Sequence, residues 1–152
     1  MAISGLVITY NEEKNIGKCI DALFKVSDEV IIVDSLSKDR TVQIATEKGA
    51  VVVSQAFLGD GPQRTHGLPY CKNDWILNLD ADEFLDIDAE DFILKEKYLL
   101  DNYDAFSFRV KNFLDDKLID FAGWYPDHKV RFFNKNTARP SASIVHQKII
   151  TQ

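Results

Sequence analysis

"WILNLDADEFL", residues 75–85, is the stretch on which the reading of this chain turns. It opens as a buried strand, with Trp75, Ile76, Leu77 and Leu79 interrupted by one polar residue. It then places Asp80, Asp82 and Glu83 within four positions. Like charges that close repel one another, and carboxylates are seldom buried without a partner. Something at the carboxyl end of this strand must therefore neutralise or solvate them.

Working outward, the segments on either side alternate. "ISGLVITY" (3–10) is short, apolar and rich in β-branched residues, a strand. Ile16, Cys19, Ile20, Leu23 and Phe24 recur at helical spacing. Asn11 or Asn15 is placed to cap that helix, and Glu12 and Glu13 suit its positive end. "EVIIVDS" (29–35) is a second strand, Asp39 is expected to cap a helix through "RTVQIATEK", and Gly49 fits its stop. "AVVVSQA" is a third strand. In "GDGPQRTHGLPYCKN" a further helix is expected, shortened or distorted by Gly67 and Pro69. "WILNLDAD" is the fourth strand, and Asp88 is expected to cap a helix through "AEDFILKEKYLLDN". This alternation predicts an α/β protein with a mainly parallel central sheet covered on both faces. After about Asp104, "AFSFRVKNFLDDKLIDF" reads as an exposed strand pair turning at "DD", and "KVRFFNK" and "SIVHQKII" as further short strands. No linker divides the chain, so one domain is expected over residues 1–152.

Composition narrows the function. The 152 residues carry a formal net charge of −6, which argues against non-specific affinity for nucleic acid or anionic membrane. No apolar run approaches the ~20 residues of a membrane span. The start, "MAISGLVITYNEE", has neither the basic beginning nor the cleavage site of a signal peptide. Cys19 and Cys71 lack metal-ligand spacing and read as buried free thiols, which with the preceding points suggests the cytoplasm.

In an open α/β sheet, ligands bind beyond the carboxyl ends of the strands. "TYNEE", "DS" and "DADE" all fall at such ends, which brings Tyr10, Asn11, Glu12, Asp34, Asp80 and Asp82 to one rim. Residues i and i+2 of an extended segment point the same way, so Asp80 and Asp82 can face one hard cation or polar ligand. Mg²⁺ and Mn²⁺ are commonly held by one or two carboxylates plus substrate phosphates. A solvated acidic turn is the alternative for an isolated D-x-D; the buried strand and companion clusters weigh against it here.

"SGLVITYNEEKNIGKCIDAL", "EVIIVDSLSKDRTVQIA", "GPQR", "DWILNLDADEFL", "GWYPDHKVRFFNK" and "VHQKI" stand in the order seen in family 2 glycosyltransferases, and the chain resembles that family over nearly its whole length. The nearest likeness is to bacterial proteins similar to lipopolysaccharide-core β-1,4-glucosyltransferases. The resemblance implies a GT-A (Rossmann-like) fold. Residues 1–104 would bind a nucleotide sugar, and 105–152 would form an acceptor-side part that relatives extend further. It implies inverting transfer of a sugar, a hexose, from a UDP-sugar to a hydroxyl of a glycan or lipid-linked acceptor, at the inner face of the membrane, with Mg²⁺ or Mn²⁺ as cofactor.

Residue by residue, the resemblance implies that Thr9, Tyr10, Asn11 and Glu12 line the base and ribose pocket and that Asp34 accepts from the base edge. Gln63 and Arg64 would lie near the nucleotide, with Arg64 suited to a phosphate. Asp80 and Asp82 match the D-x-D, Asp80 on the nucleotide side and Asp82 on the metal. His146 in "VHQ" would add a metal or diphosphate contact, and Gln147 stands where the family usually has Glu. Asp127 in "GWYPDHKVR" would be the catalytic base, with Trp124 and Tyr125 as a platform for a sugar face and Arg131 orienting the acid or contacting phosphate. Two other classes remain: a non-catalytic nucleotide-sugar-binding module, and a nucleotidyltransferase. The latter usually carries a Gly-rich basic loop after its first strand, unlike "TYNEEKNIG".

Overall fold

The structure is a computed structural model, and it describes residues 2–96, 102–114, 117–119, 127–143 and 148–151. Its first half is a repeating strand–helix unit: β1 (Ile3–Thr9), α1 (Ile16–Phe24), β2 (Glu29–Asp34), α2 (Thr41–Glu47), β3 (Val51–Ser54), α3 (Asp60–Gly67) and β4 (Trp75–Asp80). A 3₁₀ turn, Leu68–Tyr70, follows α3. Helix α4 (Ile87–Lys95) and the strands β5 (Ala105–Val110), β6 (Phe113–Leu114), β7 (Lys117–Leu118), β8 (Asp127–Asn134), β9 (Ala138–Pro140) and β10 (Ile149–Thr151) complete it.

The main sheet has six strands in the order β3-β2-β1-β4-β8-β5. The first four are parallel, while β8 runs antiparallel between β4 and β5. Alternation along the strands splits the core by face. Ile3 and Val7 of β1, Val30 and Ile32 of β2, and Leu77 and Leu79 of β4 pack with Ile16, Cys19, Ile20 and Leu23 of α1 and Ile93 of α4. Leu6, Ile31, Val33, Ile76 and Phe133 form the opposite layer with Cys71 and Ala138. Helix α3 covers that second face closely. A Cβ on Gly67 would stand 2.6 Å from Leu6 Cδ1 and 2.7 Å from Val33 Cγ2, so only glycine allows the approach.

Several local expectations need correction. The cap of α4 is Asp86, not Asp88: its carboxylate accepts from Ala89 N at 3.0 Å. Arg40, not Asp39, holds the N-cap position of α2, although Asp39 accepts from Thr41 N at 2.9 Å. "AFSFRV" does not pair with the segment after it but joins the main sheet as β5. The β6–β7 hairpin is separate and two residues long on each side; its Asp115–Asp116 turn lies outside the described residues. The "KVRFF" segment is an interior strand, because Phe132 and Phe133 bury on opposite faces and require cover on both.

The β8–β5 register carries one irregularity that matters later. Phe106 pairs with Phe132 and Ser107 with Val130, so Arg131 is the extra, bulged residue. Bulges re-aim side chains. Here the bulge sends Arg131 to the end of β4 (Arg131 Nη2–Asp80 Oδ2 2.9 Å).

Candidate functional site

The order β3-β2-β1-β4 reverses direction of growth at β1, and the crevice beyond its carboxyl end is where an open sheet binds ligands. Register places Thr9 beside Asp34 and Ile8 beside Asp80. The three polar clusters thus meet at one rim, as the chain order requires.

Two loops are latched together there. After β1, Asn11 turns the chain with φ 53°, a left-handed conformation that asparagine tolerates better than most residues. Three consecutive amides are then captured by side chains of the β2–α2 loop and of the first residue of α2. Asn11 N donates to Ser37 Oγ at 2.8 Å, Glu12 N to Thr41 Oγ1 at 2.8 Å, and Glu13 N to Asp39 Oδ2 at 3.1 Å. In return Asn11 Oδ1 accepts from Lys38 N at 2.8 Å. Asp34 anchors the arrangement: it is buried, and its carboxylate accepts from both the amide and the hydroxyl of Ser37. Asn11 and Asp34 therefore build the pocket wall from behind rather than lining it.

The pocket itself is about 570 Å³ and is lined by Ile8, Thr9, Tyr10, Glu12, Ser35, Phe57, Asp80, Ala81 and Asp82. Its lining combines aromatic and aliphatic side chains with hydroxyls and carboxylates. Tyr10 and Phe57, both in the lining, are more than half exposed, at 54% and 56%. Thr9 Oγ1 is buried without a hydrogen-bond partner among the described residues. Gln63 and Arg64, by contrast, do not reach the pocket. Gln63 is fully buried; its amide donates to Gln55 O at 2.9 Å and Ser35 Oγ at 3.2 Å and accepts from Leu58 N at 3.1 Å, which holds the Phe57 loop. Arg64 is 3% exposed, and its two terminal nitrogens donate to Asn78, Leu79 O and Asp80.

The acids at the end of β4 are neutralised from within. Asp80 lies between two guanidiniums, with Arg64 on Oδ1 and Arg131 Nη2 2.9 Å from Oδ2. Glu83 folds back, accepting from Asp80 N at 3.0 Å and from Arg131 at 2.5 Å. Burial pushes the Asp80 carboxyl up, but Arg64 and Arg131 more than offset it and hold it below the usual value. Arg131 is held above its ordinary value: burial works against its charge, and Glu83 and Asp80 outweigh it. Beneath them the Cys19 thiol is pushed up to about 12, first by burial and then by Glu83, Asp80 and Asp82. Asp82 alone of the three acids is exposed.

Asp80 and Asp82 also border a second hollow of about 600 Å³ on the other side. Phe84, Leu85, Phe108, Val110 and Phe113 give it an apolar floor, and Glu83, Lys129 and Arg131 a charged edge. Asp127 begins β8, with its carboxylate 40% exposed and 3.8 Å from Lys129 Nζ. His146 and Gln147, like Trp124 and Tyr125, lie outside the described residues. Among the described residues no three His, Cys, Asp or Glu side chains form a metal-binding group. The donor set is Asp82, with Asp80 already shared by two arginines. That set fits a hard cation that draws its remaining oxygens from a diphosphate and water.

Sequence reasoning missed the clamp. Arg131 was assigned to Asp127 or phosphate; the bulge turns it to Asp80 and Glu83 instead. The interlock of Ser37, Asp39 and Thr41 also went unread, although "SLSKDRT" carries several short hydrogen-bonding side chains next to a strand end.

A mostly parallel α/β sheet with an acid-tipped strand at its switch point is a Rossmann-like architecture. Residues 4–145 match the family model described as Glycosyl transferase family 2, and the chain belongs to that family. Its fold is the GT-A fold. It is similar to an uncharacterized glycosyltransferase of Rickettsia bellii, 47% identical over 91 residues (60% of this chain, 31% of that protein). It is also similar to the lipopolysaccharide core biosynthesis glycosyltransferase LpsC of Rhizobium meliloti, 36% identical over 91 residues (57% and 33%). The chain thus spans about a third of the length of these relatives. Of solved structures, S. aureus TarS 1-349 in complex with UDP-GlcNAc matches with a TM-score of 0.58 at 25% identity, over 73% of this chain and 34% of that one. Glucosyl-3-phosphoglycerate synthase from Mycobacterium tuberculosis, in complex with Mn²⁺, UDP and glucosyl-3-phosphoglycerate, matches with a TM-score of 0.50 at 27% identity (61% and 37%). No described helix is long and apolar enough to cross a membrane.

Proposed function

We propose that this chain is the donor-binding part of an inverting glycosyltransferase that moves a hexose from a UDP-sugar to an acceptor hydroxyl, in lipopolysaccharide or other cell-surface glycan synthesis. The observation that carries this reading is the paired hollows meeting at Asp80 and Asp82, one aromatic-walled and one edged by Lys129, whose Nζ stands 3.8 Å from Asp127 Oδ2. The likeness to proteins solved with UDP-GlcNAc and with Mn²⁺ and UDP supports it.

In this reading Tyr10 and Phe57 cover the faces of the base, and Thr9 and Glu12 meet its polar edges and the ribose. Asp82 holds the divalent cation, Mg²⁺ or Mn²⁺, with His146 as a further contact. That cation supplies charge neutralisation for the departing diphosphate. Arg64 and Arg131 keep Asp80 ionised and fixed, so the acid ridge does not collapse by its own repulsion. Asp127 takes the proton of the acceptor hydroxyl as its oxygen bonds to the anomeric carbon. The bond from that carbon to the diphosphate oxygen breaks on the opposite side, and UDP leaves with the electron pair.

The test is thermal. UDP is expected to raise the melting temperature in the presence of Mn²⁺, since a ligand of the native state stabilises by ~2.7 kcal/mol at a hundredfold excess over Kd. EDTA should remove most of the shift. Stabilisation by UDP that EDTA leaves unchanged would eliminate the metal bridge, and no stabilisation by any UDP-sugar would eliminate the donor reading.

A further inference from the structure

Six charged side chains run in alternating sign across the ridge between the two hollows: Arg64, Asp80, Arg131, Glu83, Lys129 and Asp127. The first four are tightly packed, with Arg131 7% exposed and 2.5 Å from Glu83. The last two extend the row outward, Lys129 Nζ standing 3.9 Å from Glu83 Oε1 and 3.8 Å from Asp127 Oδ2. Lys129 and Asp127 are i and i+2 on one strand and face the same way, opposite Phe108 and Val110 of β5. Among the described residues Lys129 is the single cation within 4 Å of Asp127.

We propose that Lys129 is a positioning residue that ties Asp127 to the buried Arg64–Asp80–Arg131–Glu83 clamp; this rests on the reading of Asp127 as the base. A general base must come within about 2.6–3.2 Å of the proton it removes. Asp127 sits at the first residue of its strand with a half-exposed carboxylate, and the rigid structure behind it reaches it through Lys129. The same row makes base placement depend on Glu83 and, through Arg131, on Asp80 at the first pocket. A half-exposed ion pair contributes little to stability. Loss of Lys129 therefore affects turnover and leaves folding alone, which separates positioning from a merely structural role.

The experiment uses the 152-residue chain with Mn²⁺ and UDP-glucose, water serving as acceptor, and reads UDP release. Here a water oxygen bonds to the anomeric carbon, its proton passes to Asp127, and UDP leaves with the electron pair. Lys129→Gln is expected to lower kcat about tenfold, a part of the 10²–10⁴ that general-base catalysis contributes. KM for UDP-glucose and the melting temperature should stay at parental values. Lys129→Arg should recover most of the rate, and Lys129→Gln should cost nothing further in an Asp127→Asn background, because the two act as one unit. A parental kcat in Lys129→Gln, losses that multiply in the double variant, or Lys129→Arg as slow as Lys129→Gln would each overturn the proposal. Asp127→Asn turning over at the parental rate would instead remove the base and the proposal with it. A parent chain that does not bind UDP would remove the donor reading first.

Discussion

Replacing Arg131 by Met removes one guanidinium from two carboxylates at once. Asp80 keeps Arg64 on Oδ1 but loses its partner 2.9 Å from Oδ2. Glu83 keeps its hydrogen bond from Asp80 N and is left with Lys129 at 3.9 Å. Removing one partner of a buried pair costs about 3–5 kcal/mol. The Asp80 side chain is 35% exposed, so water relieves part of that, and about 2 kcal/mol is expected here. For a chain of this size 1 kcal/mol moves Tm by about 2–4 °C, so Arg131→Met should melt about 4–8 °C below the parent at pH 7. The pH dependence has a definite sign. Asp80 is held below its unfolded value, so its pairing stabilises above the unfolded carboxylate range and is lost as pH falls through the folded value. The gap between Arg131→Met and parent should narrow as pH falls below about 4. Adding Glu83→Gln to Arg131→Met should restore part of the loss, because it removes the carboxylate charge left with only Lys129 at 3.9 Å, while Asp80 stays paired with Arg64. The assay is thermal unfolding of the four proteins of the cycle from pH 3.5 to 8. Arg131→Met melting within 1 °C of the parent would show that Arg131 does not neutralise the ridge (an effect of ~0.5 kcal/mol or less), and strictly additive effects would show that it does not do so through Glu83.

Asp82→Asn should keep the fold and its Tm, since Asp82 is exposed, while weakening Mn²⁺-dependent UDP stabilisation; an unchanged Mn²⁺ titration would return residues 80–83 to the status of an acidic turn. Asn11→Gly should be nearer the parent in stability than Asn11→Ala, because φ 53° suits glycine, though both lose the bond from Lys38 N; the expected gap is about 1 kcal/mol by denaturant unfolding. Cys19 and Cys71 should resist a thiol-specific disulfide reagent at pH 8 in the native chain and react on unfolding. Burial pushes both up to about 12, and the thiolate is the reacting form; rapid native labelling would refute this.

The parallel half of the fold was legible because its signals are local. Apolar runs of four to seven residues, helix-period stripes and a stop glycine at position 49 each carry a direct physical reading. The rim was legible for the same reason, since chain order alone places the ends of β1, β2 and β4 together. What was not legible depends on contacts far apart in sequence. Arg131 lies 51 residues from Asp80, and its aim is set by a bulge that no residue in "KVRFF" announces. The depth of Arg64 was hidden too: "GPQR" reads equally as a polar surface turn or a buried anchor, and Asn78 and Asp80 decide it. Asp86 outcompeted Asp88 as a cap because two aspartates one residue apart offer the same signal, and a boundary is fixed only by which carboxylate meets a free amide.

The question raised by an acid cluster at a strand end has a specific answer, and it bears on how a cation would be held. Asp80 and Glu83 are balanced by Arg64 and Arg131, so among the described residues Asp82 is the one of the three carboxylates without an ion-pair partner. A single carboxylate is a weak site for Mg²⁺ or Mn²⁺, which keep several waters and prefer oxygens from phosphate as well. Had Asp80 and Glu83 been free, three negative charges within four residues would have gathered cations without any nucleotide and repelled an anionic diphosphate in their absence. With the arginines in place, the ridge is close to neutral, and under the proposed reading it would not repel a diphosphate. Under the proposed reading, cation and nucleotide would each need the other to be held at Asp82. Mn²⁺ alone is accordingly expected to shift the melting temperature little and Mn²⁺ with UDP much more than the sum of the two taken singly. Equal shifts with and without nucleotide would mean that the cation site is already built from the chain's own side chains, and the neutralised ridge would then need another explanation.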